Sequence, residues 1–326
     1  MQPIKSTNVR VRRLARLFGL LQRVWPAAAV ALAARLFASP PRHAPSEREH
    51  EALRGARRFD VRLGKQRLRA WRWGRGPTVL LVHGWGGRGA QLASHVPALL
   101  AAGYSVVSFD APAHGASSGR VAALPLFTEA LLALQAQVGP LRAVIAHSLG
   151  AGATALALQR GLRLDAAVFI GPPRSPMDFF GAFAQALRLS TRTQDAVLAR
   201  LGRRFGVHPA HLDAARLAQD QRLPLLVLHD AGDRDVPLAH GREIASHWPG
   251  AELVVTQGLG HRRILHDAAT IARAVEFVAA RVPARCAQPD WGNGLMACEE
   301  RAAMCASCAL STHLYERELR SPCAAA

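Results

Sequence analysis

Apolar residues fall along this chain in two alternating patterns. Solid aliphatic or β-branched runs occupy 79–82, 105–109, 143–146, 166–170, 225–228 and 253–256. Between them, stretches near 89–101, 126–138, 149–160, 237–247 and 267–281 place apolar side chains at helical spacing. A strand that is apolar at every position is buried on both faces, and strands alternating with helices run parallel through crossover connections. The pattern predicts an α/β fold: a mostly parallel sheet covered by helices on both faces. Ahead of it, 59–63 and 67–73 flank Gly64-Lys65-Gln66 and read as a hairpin. The 53 residues from Gly171 to Leu223 are too long for a plain crossover. They predict a helical, lid-like insertion over one end of the sheet, with Phe179, Phe180 and Phe183 either lining a pocket or docking the insertion.

Outside the body at 55–282 the pattern changes. In residues 1–45, Leu14, Leu17, Phe18, Leu21 and Trp25 recur at helical spacing opposite Arg12, Arg16 and Arg23. This is an amphipathic helix that Pro26 stops or kinks, with a second short helix expected over 27–38. A cleaved leader is not expected, because Pro26 opens the apolar stretch, Arg35 interrupts it and Leu36 stands where cleavage needs a small residue. No uncharged apolar run reaches the roughly 18 residues of a membrane span. Residues 283–326 form a tail carrying Cys298, Cys305, Cys308, His313 and Cys323. The C-x-x-C at 305–308 is half of a zinc pattern without a clear second half, so unliganded thiols and no metal are expected.

Charge alters the picture at one point. The formal net charge is +18, and residues 1–75, with 18 Lys/Arg against 4 Asp/Glu, supply +14 of it. The rest of the chain is nearly balanced, and no basic run is interleaved with aromatics, so a nucleic-acid partner is not expected. The basic front segment has two readings. Its apolar stripe docks on the main body, which is favoured because the stripe is short, or residues 9–25 contact an anionic membrane. A cytoplasmic protein, peripheral to the inner face of the membrane in the second case, is the corresponding expectation.

Two chemistries compete at one Gly-rich turn. Gly84-Trp85-Gly86-Gly87-Arg88-Gly89 follows a strand and precedes a helix, with Asp110 about 20 residues on, as in a dinucleotide-binding fingerprint. The same turn can serve as an oxyanion hole. Elsewhere, Ala146-His147-Ser148-Leu149-Gly150 joins a strand to an Ala-rich helix, so Ser148 sits on a sharp turn that projects its hydroxyl from the sheet edge. Such a turn brings the residues two before and two after together, and Ala146 and Gly150 are both small. Asp233 lies on the loop after the strand at 225–228, and His261 on the Gly-rich loop after 253–256, giving the order Ser, Asp, His.

With these motifs assembled, the chain resembles the α/β-hydrolase superfamily over about 59–282. HGWGG at 83–87 is similar to its oxyanion turn, FDAPAHGASSG at 109–119 to the loop after its fourth strand, and AHSLG at 146–150 to its nucleophile elbow. HDAGDRDVP at 229–237 and GLGH at 258–261 resemble its acid and histidine loops. The resemblance implies a serine hydrolase acting on a carboxylic ester, thioester or similar acyl substrate through an acyl-enzyme, without a cofactor. Ser148 would be the nucleophile, His261 the base, and Asp233 the residue that orients it. The backbone N–H groups of Trp85 and Leu149 would form the oxyanion hole, braced by His83 and Gly84. The family spacing favours Asp233 over Asp230 and Asp235, and Asp235 is expected to pair with an arginine. His114 and His147 are expected to anchor loops, Asp110 to tie down its own loop, and His95, His208, His211, His240, His247 and His266 to lie on the surface. Two other readings remain: an NAD(P)-dependent oxidoreductase using 84–89, and a binding protein that keeps the fold without the activity.

Overall fold

The computed structural model describes residues 9–42, 44, 46–219 and 221–284. The tail residues Cys298, Cys305, Cys308, His313 and Cys323 lie outside the described residues. In chain order the strands are β1 (Arg57–Leu63), β2 (Gln66–Trp73), β3 (Thr78–Val82), β4 (Ser105–Phe109), β5 (Leu141–His147), β6 (Ala166–Ile170), β7 (Leu225–Asp230) and β8 (Glu252–Thr256). They form one sheet in the order β1-β2-β4-β3-β5-β6-β7-β8. β1 and β2 pair antiparallel, β2 joins β4 antiparallel, and every pairing from β4 to β8 is parallel. The hairpin turns at Gly64-Lys65, with Gly64 at φ 54°, so β2 begins at Gln66.

The helices begin with α1 (Val9–Val24), α2 (Pro26–Phe37) and α3 (Glu47–Ala52), followed by α4 (Val96–Ala101), α5 (Leu124–Val138) and α6 (Leu149–Gln159). The insertion between β6 and β7 contains α7 (Pro176–Leu187), α8 (Thr191–Phe205) and α9 (Ala214–Ala218). The chain then continues through α10 (Leu238–His247), α11 (Gly260–Arg263) and α12 (Ala268–Ala279).

Period-two alternation in the central strands divides the core between the two sheet faces. Leu80, Val82, Val144, Ala146, Phe169 and Val227 face one side, where Phe127 and Leu131 of α5 and the small side chains of α6 pack. Val79, Leu81, Ile145, Val168, Ile170 and Leu228 face the other, against Leu99 of α4 and Phe277 and Val278 of α12. Full burial on both faces is why these strands carry no polar alternation.

Pro26 stops α1 and occupies the first turn of α2, where its missing N–H costs no helical bond. The two helices pack on α7 and α8: Phe18, Ala29 and Ala33 are buried with Phe180, Leu187 and Val197 in a third cluster. The expected stripe is therefore divided. Phe18 is buried and Leu14 and Leu21 half-buried in this contact, while Leu17 and Trp25 remain exposed. Phe180 is buried in the same contact, so it docks the insertion. No helix among the described residues is long and apolar enough to cross a membrane.

Candidate active site

The carboxyl ends of the parallel strands converge on one cavity, where α/β sheets place their ligand sites. β5 passes directly into α6 through Ser148, whose backbone adopts φ 51° and ψ −122°. A side chain at positive φ is costly, and the surroundings hold it there. The Ser148 N–H donates to Ile170 O at 3.0 Å, and the Ala151 N–H to Ser148 O at 2.9 Å. Close approach of α6 to the end of β3 explains the glycines at 84 and 150. A Cβ on Gly150 would lie 2.7 Å from His83 O and 2.9 Å from Val82 O, and one on Gly84 would lie 2.9 Å from Ser148 Cβ. The tightest constraint at 150 thus comes from the end of β3.

Two buried imidazoles build the turn after β3. The Ala111 N–H donates to His83 Nε2 at 3.0 Å, so the His83 proton sits on Nδ1 and bonds Gly84 O at 2.7 Å. Burial, with His114 nearby, depresses the His83 pKa to about 3. His114 repeats the logic one turn on, accepting the Gly86 N–H at 3.0 Å and donating from Nδ1 to Pro112 O at 2.9 Å. Burial lowers its pKa to about 4. Both rings are neutral braces for the loop that carries Gly84 and Trp85. The N–H groups of Trp85 and Leu149 have no hydrogen-bond partner among the described residues. Leu149 opens α6, so its N–H sits at the positive end of a helix. The Trp85 side chain is exposed into the cavity and stands edge-on to His114.

His261 Nδ1 donates to Asp233 Oδ2 at 2.7 Å, and Asp233 Oδ1 accepts the N–H groups of Asp235 at 2.9 Å and Val236 at 2.8 Å. His147 lies beneath His261, the rings 4.5 Å apart, with its Nε2–H directed to His261 O at 3.0 Å. Burial holds the His147 pKa well below the usual imidazole range, so it supports the ring above it without adding charge. Ser148 and His261 line the same cavity with no hydrogen bond between them; such contacts commonly close only around substrate.

Asp230, a rival of Asp233 for the acid role in the sequence, and Gly171, which carried no expectation there, complete this arrangement. Asp230 accepts the N–H groups of Gly232 at 2.9 Å and Leu259 at 3.0 Å, and the Thr256 hydroxyl at 2.9 Å. Burial raises its pKa, but these bonds, with the Gly260 N–H, outweigh burial and lower it. It thereby ties the acid loop to the loop that carries His261. Gly171, at φ 55°, lies under the pair, and a Cβ there would be 3.1 Å from His261 Nδ1. A glycine ending the strand before the insertion was the available signal.

Other expectations are corrected or met. Asp235 makes no ion pair with an arginine among the described residues; it is exposed and contributes its N–H to Asp233. His95 is fully buried, not on the surface, with Nδ1–H donating to Leu92 O at 3.2 Å. His208 and His240 are half-buried, and His211, His247 and His266 are exposed. Asp110 accepts the Ala116 N–H at 2.7 Å within its own loop and the Gly89 N–H at 2.7 Å from the Gly-rich turn after β3, so it ties the two loops together. That leaves the fingerprint reading without a free carboxylate at the place where a ribose would need one.

The cavity, about 1210 Å³, is lined by Gly84, Trp85, Ser148, Leu149, Asp233 and His261, with Phe179 and Phe183 from the insertion. The model of the alpha/beta hydrolase family matches residues 79–275, more than half of the chain. The chain belongs to that family. Among solved structures, an esterase from Pyrococcus furiosus is 18% identical with a TM-score of 0.56, covering 75% of this chain and 97% of that one. An esterase from Rhodococcus sp. ECU1013 is 17% identical, TM-score 0.53, covering 70% and 99%. A bromoperoxidase from Bacillus anthracis is 19% identical, TM-score 0.53, covering 69% and 100%. No curated protein matches the chain. At these identities the structural likeness establishes the fold alone, and one fold carries more than one chemistry, so the groups in the site decide the activity.

Proposed function

We propose that this member of the hydrolase family is a serine hydrolase that cleaves an acyl ester or thioester through an acyl-enzyme. The observation that carries the reading is a strained Ser148 opening onto the cavity that also holds a His261 oriented by Asp233. With Nδ1–H committed to Asp233, the Nε2 lone pair of His261 is the base. It takes the Ser148 proton as Oγ bonds the substrate carbonyl carbon. The electron pair of the C=O bond moves onto oxygen, opposite the N–H groups of Trp85 and Leu149. When the carbonyl re-forms, the bond to the leaving oxygen or sulfur breaks and that atom takes the proton from His261. Water then repeats the sequence on the acyl-enzyme, releasing the carboxylic acid and restoring Ser148.

A fluorophosphonate probe should label the protein at Ser148, and p-nitrophenyl ester hydrolysis should fall by about 10⁴-fold or more in Ser148→Ala. Labelling that persists in Ser148→Ala would show that another residue is the nucleophile.

A further inference from the structure

α2 lies outside the residues that match the family model. Its last turn nevertheless forms part of the cavity wall, where Leu36 and Phe37 join Phe179, Phe183, Leu201 and Phe205 of the insertion. The Phe37 ring meets Phe180 edge-on at 5.2 Å and Phe183 at 5.3 Å, so α2 and α7 form one surface.

The chain after α2 is fastened to the loops around the oxyanion turn. The Ala122 N–H donates to Ala38 O at 2.7 Å. Arg42 donates from Nε to Ala113 O at 2.9 Å and from Nη2 to Ser117 O at 2.9 Å and Gly119 O at 3.0 Å. Further along, Glu49 pairs with Arg88 at 2.7 Å. A guanidinium shared among three carbonyls is a directional anchor, so the C-terminal end of α2 is fastened beside the cavity that Ser148 lines.

Leu36 is 36% exposed and Phe179 39%, both facing a concave space. Large apolar groups left open inside a cavity gain when a ligand covers them. We infer that the last turn of α2, with α7 and α8, binds the aliphatic chain of the substrate, making the N-terminal segment a determinant of chain-length specificity. A polar substituent on that chain would meet a wall of six apolar side chains with no partner to offer it. The cavity exceeds the roughly 300–1,000 Å³ of most small-molecule pockets, which suits a long chain. The inference rests on the hydrolase reading for its catalytic half only.

Full-length protein and the variants Leu36→Ala and Phe37→Trp are compared on p-nitrophenyl acetate, octanoate and dodecanoate. The parent should favour octanoate over acetate. Leu36→Ala should lower the octanoate-to-acetate ratio of kcat/KM about tenfold, and Phe37→Trp should move the optimum to shorter chains. Binding of the fluorescent fatty acid cis-parinarate to Ser148→Ala protein reads the pocket without turnover, and adding Leu36→Ala should weaken it about tenfold. A parent that prefers acetate overturns the pocket, as do unchanged ratios or unchanged parinarate binding in the variants. Missing fluorophosphonate labelling with parinarate binding intact overturns the catalytic reading and leaves the pocket standing.

The outward face of α1 supports a second, independent proposal. Opposite buried Ala15 and Phe18 it exposes Leu20 (60%) and Val24 (74%), interleaved with exposed Arg13, Arg16 and Arg23, and Trp25 (64%) is exposed just past its end. No acidic residue occurs before Glu47. We propose that this face docks on an anionic lipid bilayer, its apolar side chains in the acyl boundary and its arginines on the headgroup charge. Full-length protein should co-sediment with phosphatidylglycerol-containing vesicles, less so at high salt and not with phosphatidylcholine alone. Leu20→Glu/Val24→Glu, which alters only exposed positions, should bind at least about tenfold more weakly. No binding by the parent, equal binding to neutral vesicles, or equal binding by the double variant overturns the proposal.

Discussion

Replacing Gly171 by alanine tests whether the floor beneath His261 and Asp233 matters to the chemistry. The added Cβ would stand 3.1 Å from His261 Nδ1, 3.3 Å from its Cε1 and 3.4 Å from Asp233 Oδ2. The backbone cannot retreat easily, because the Gly171 N–H donates to Leu228 O at 2.8 Å. The imidazole must therefore shift by a few tenths of an ångström. If misplacement by about 1 Å costs on the order of 100-fold, kcat/KM on p-nitrophenyl esters should fall about three- to tenfold. The left-handed backbone adds strain of about 1–2 kcal/mol that has nothing to do with catalysis. Gly250→Ala isolates that component, since Gly250 has φ 75° and nothing within 4 Å of an added Cβ. Urea unfolding should show similar stability losses in the two variants, while only Gly171→Ala loses activity. Equal activities, or an equal loss in Gly250→Ala, would refute the reasoning.

Asp230→Asn replaces an acceptor-only carboxylate with an amide whose NH₂ would oppose the N–H groups it now receives. It should loosen the histidine loop, costing about 1–3 kcal/mol in urea unfolding and about tenfold in kcat/KM, and full activity would deny Asp230 a positioning role. Acid should destabilise the fold well before the carboxylates dominate. Burial holds His83 near 3 and His95 and His114 near 4, against 6.5 when unfolded, so between those values only the unfolded chain takes up the protons. Stability should therefore be fully present above about pH 6.5 and decline as pH falls toward 4, by on the order of 2–3 kcal/mol per imidazole. Asp110, whose pKa burial raises, opposes this as a single group. A urea midpoint unchanged between pH 7 and pH 5 would contradict the assignment of these rings as neutral.

Much of the site was legible because its determinants are local. The apolar runs at 105–109 and 166–170 match β4 and β6 residue for residue, since a strand buried on both faces writes its burial into every position. Ser148 was legible because a strand, small flanking residues and an Ala-rich helix share one short segment. Chain order admitted Asp230, Asp233 or Asp235 with His261, and the resemblance to the family's spacing favoured Asp233, which the structure brings to 2.7 Å from His261. What remained hidden depends on who meets whom. The stripe on α1 and α2 announces an apolar face but not its partner, and folding assigned Phe18 to the insertion, Phe37 to the cavity wall and Trp25 to solvent. His95 looks like any polar residue in the sequence, yet the packing of its 3₁₀ turn against the sheet buries it. Asp230 and Gly171 act on His261 across 31 and 90 positions of sequence. Periodicity records how strongly each position is buried, whereas a contact between distant segments exists only once the sheet has set their strand ends side by side.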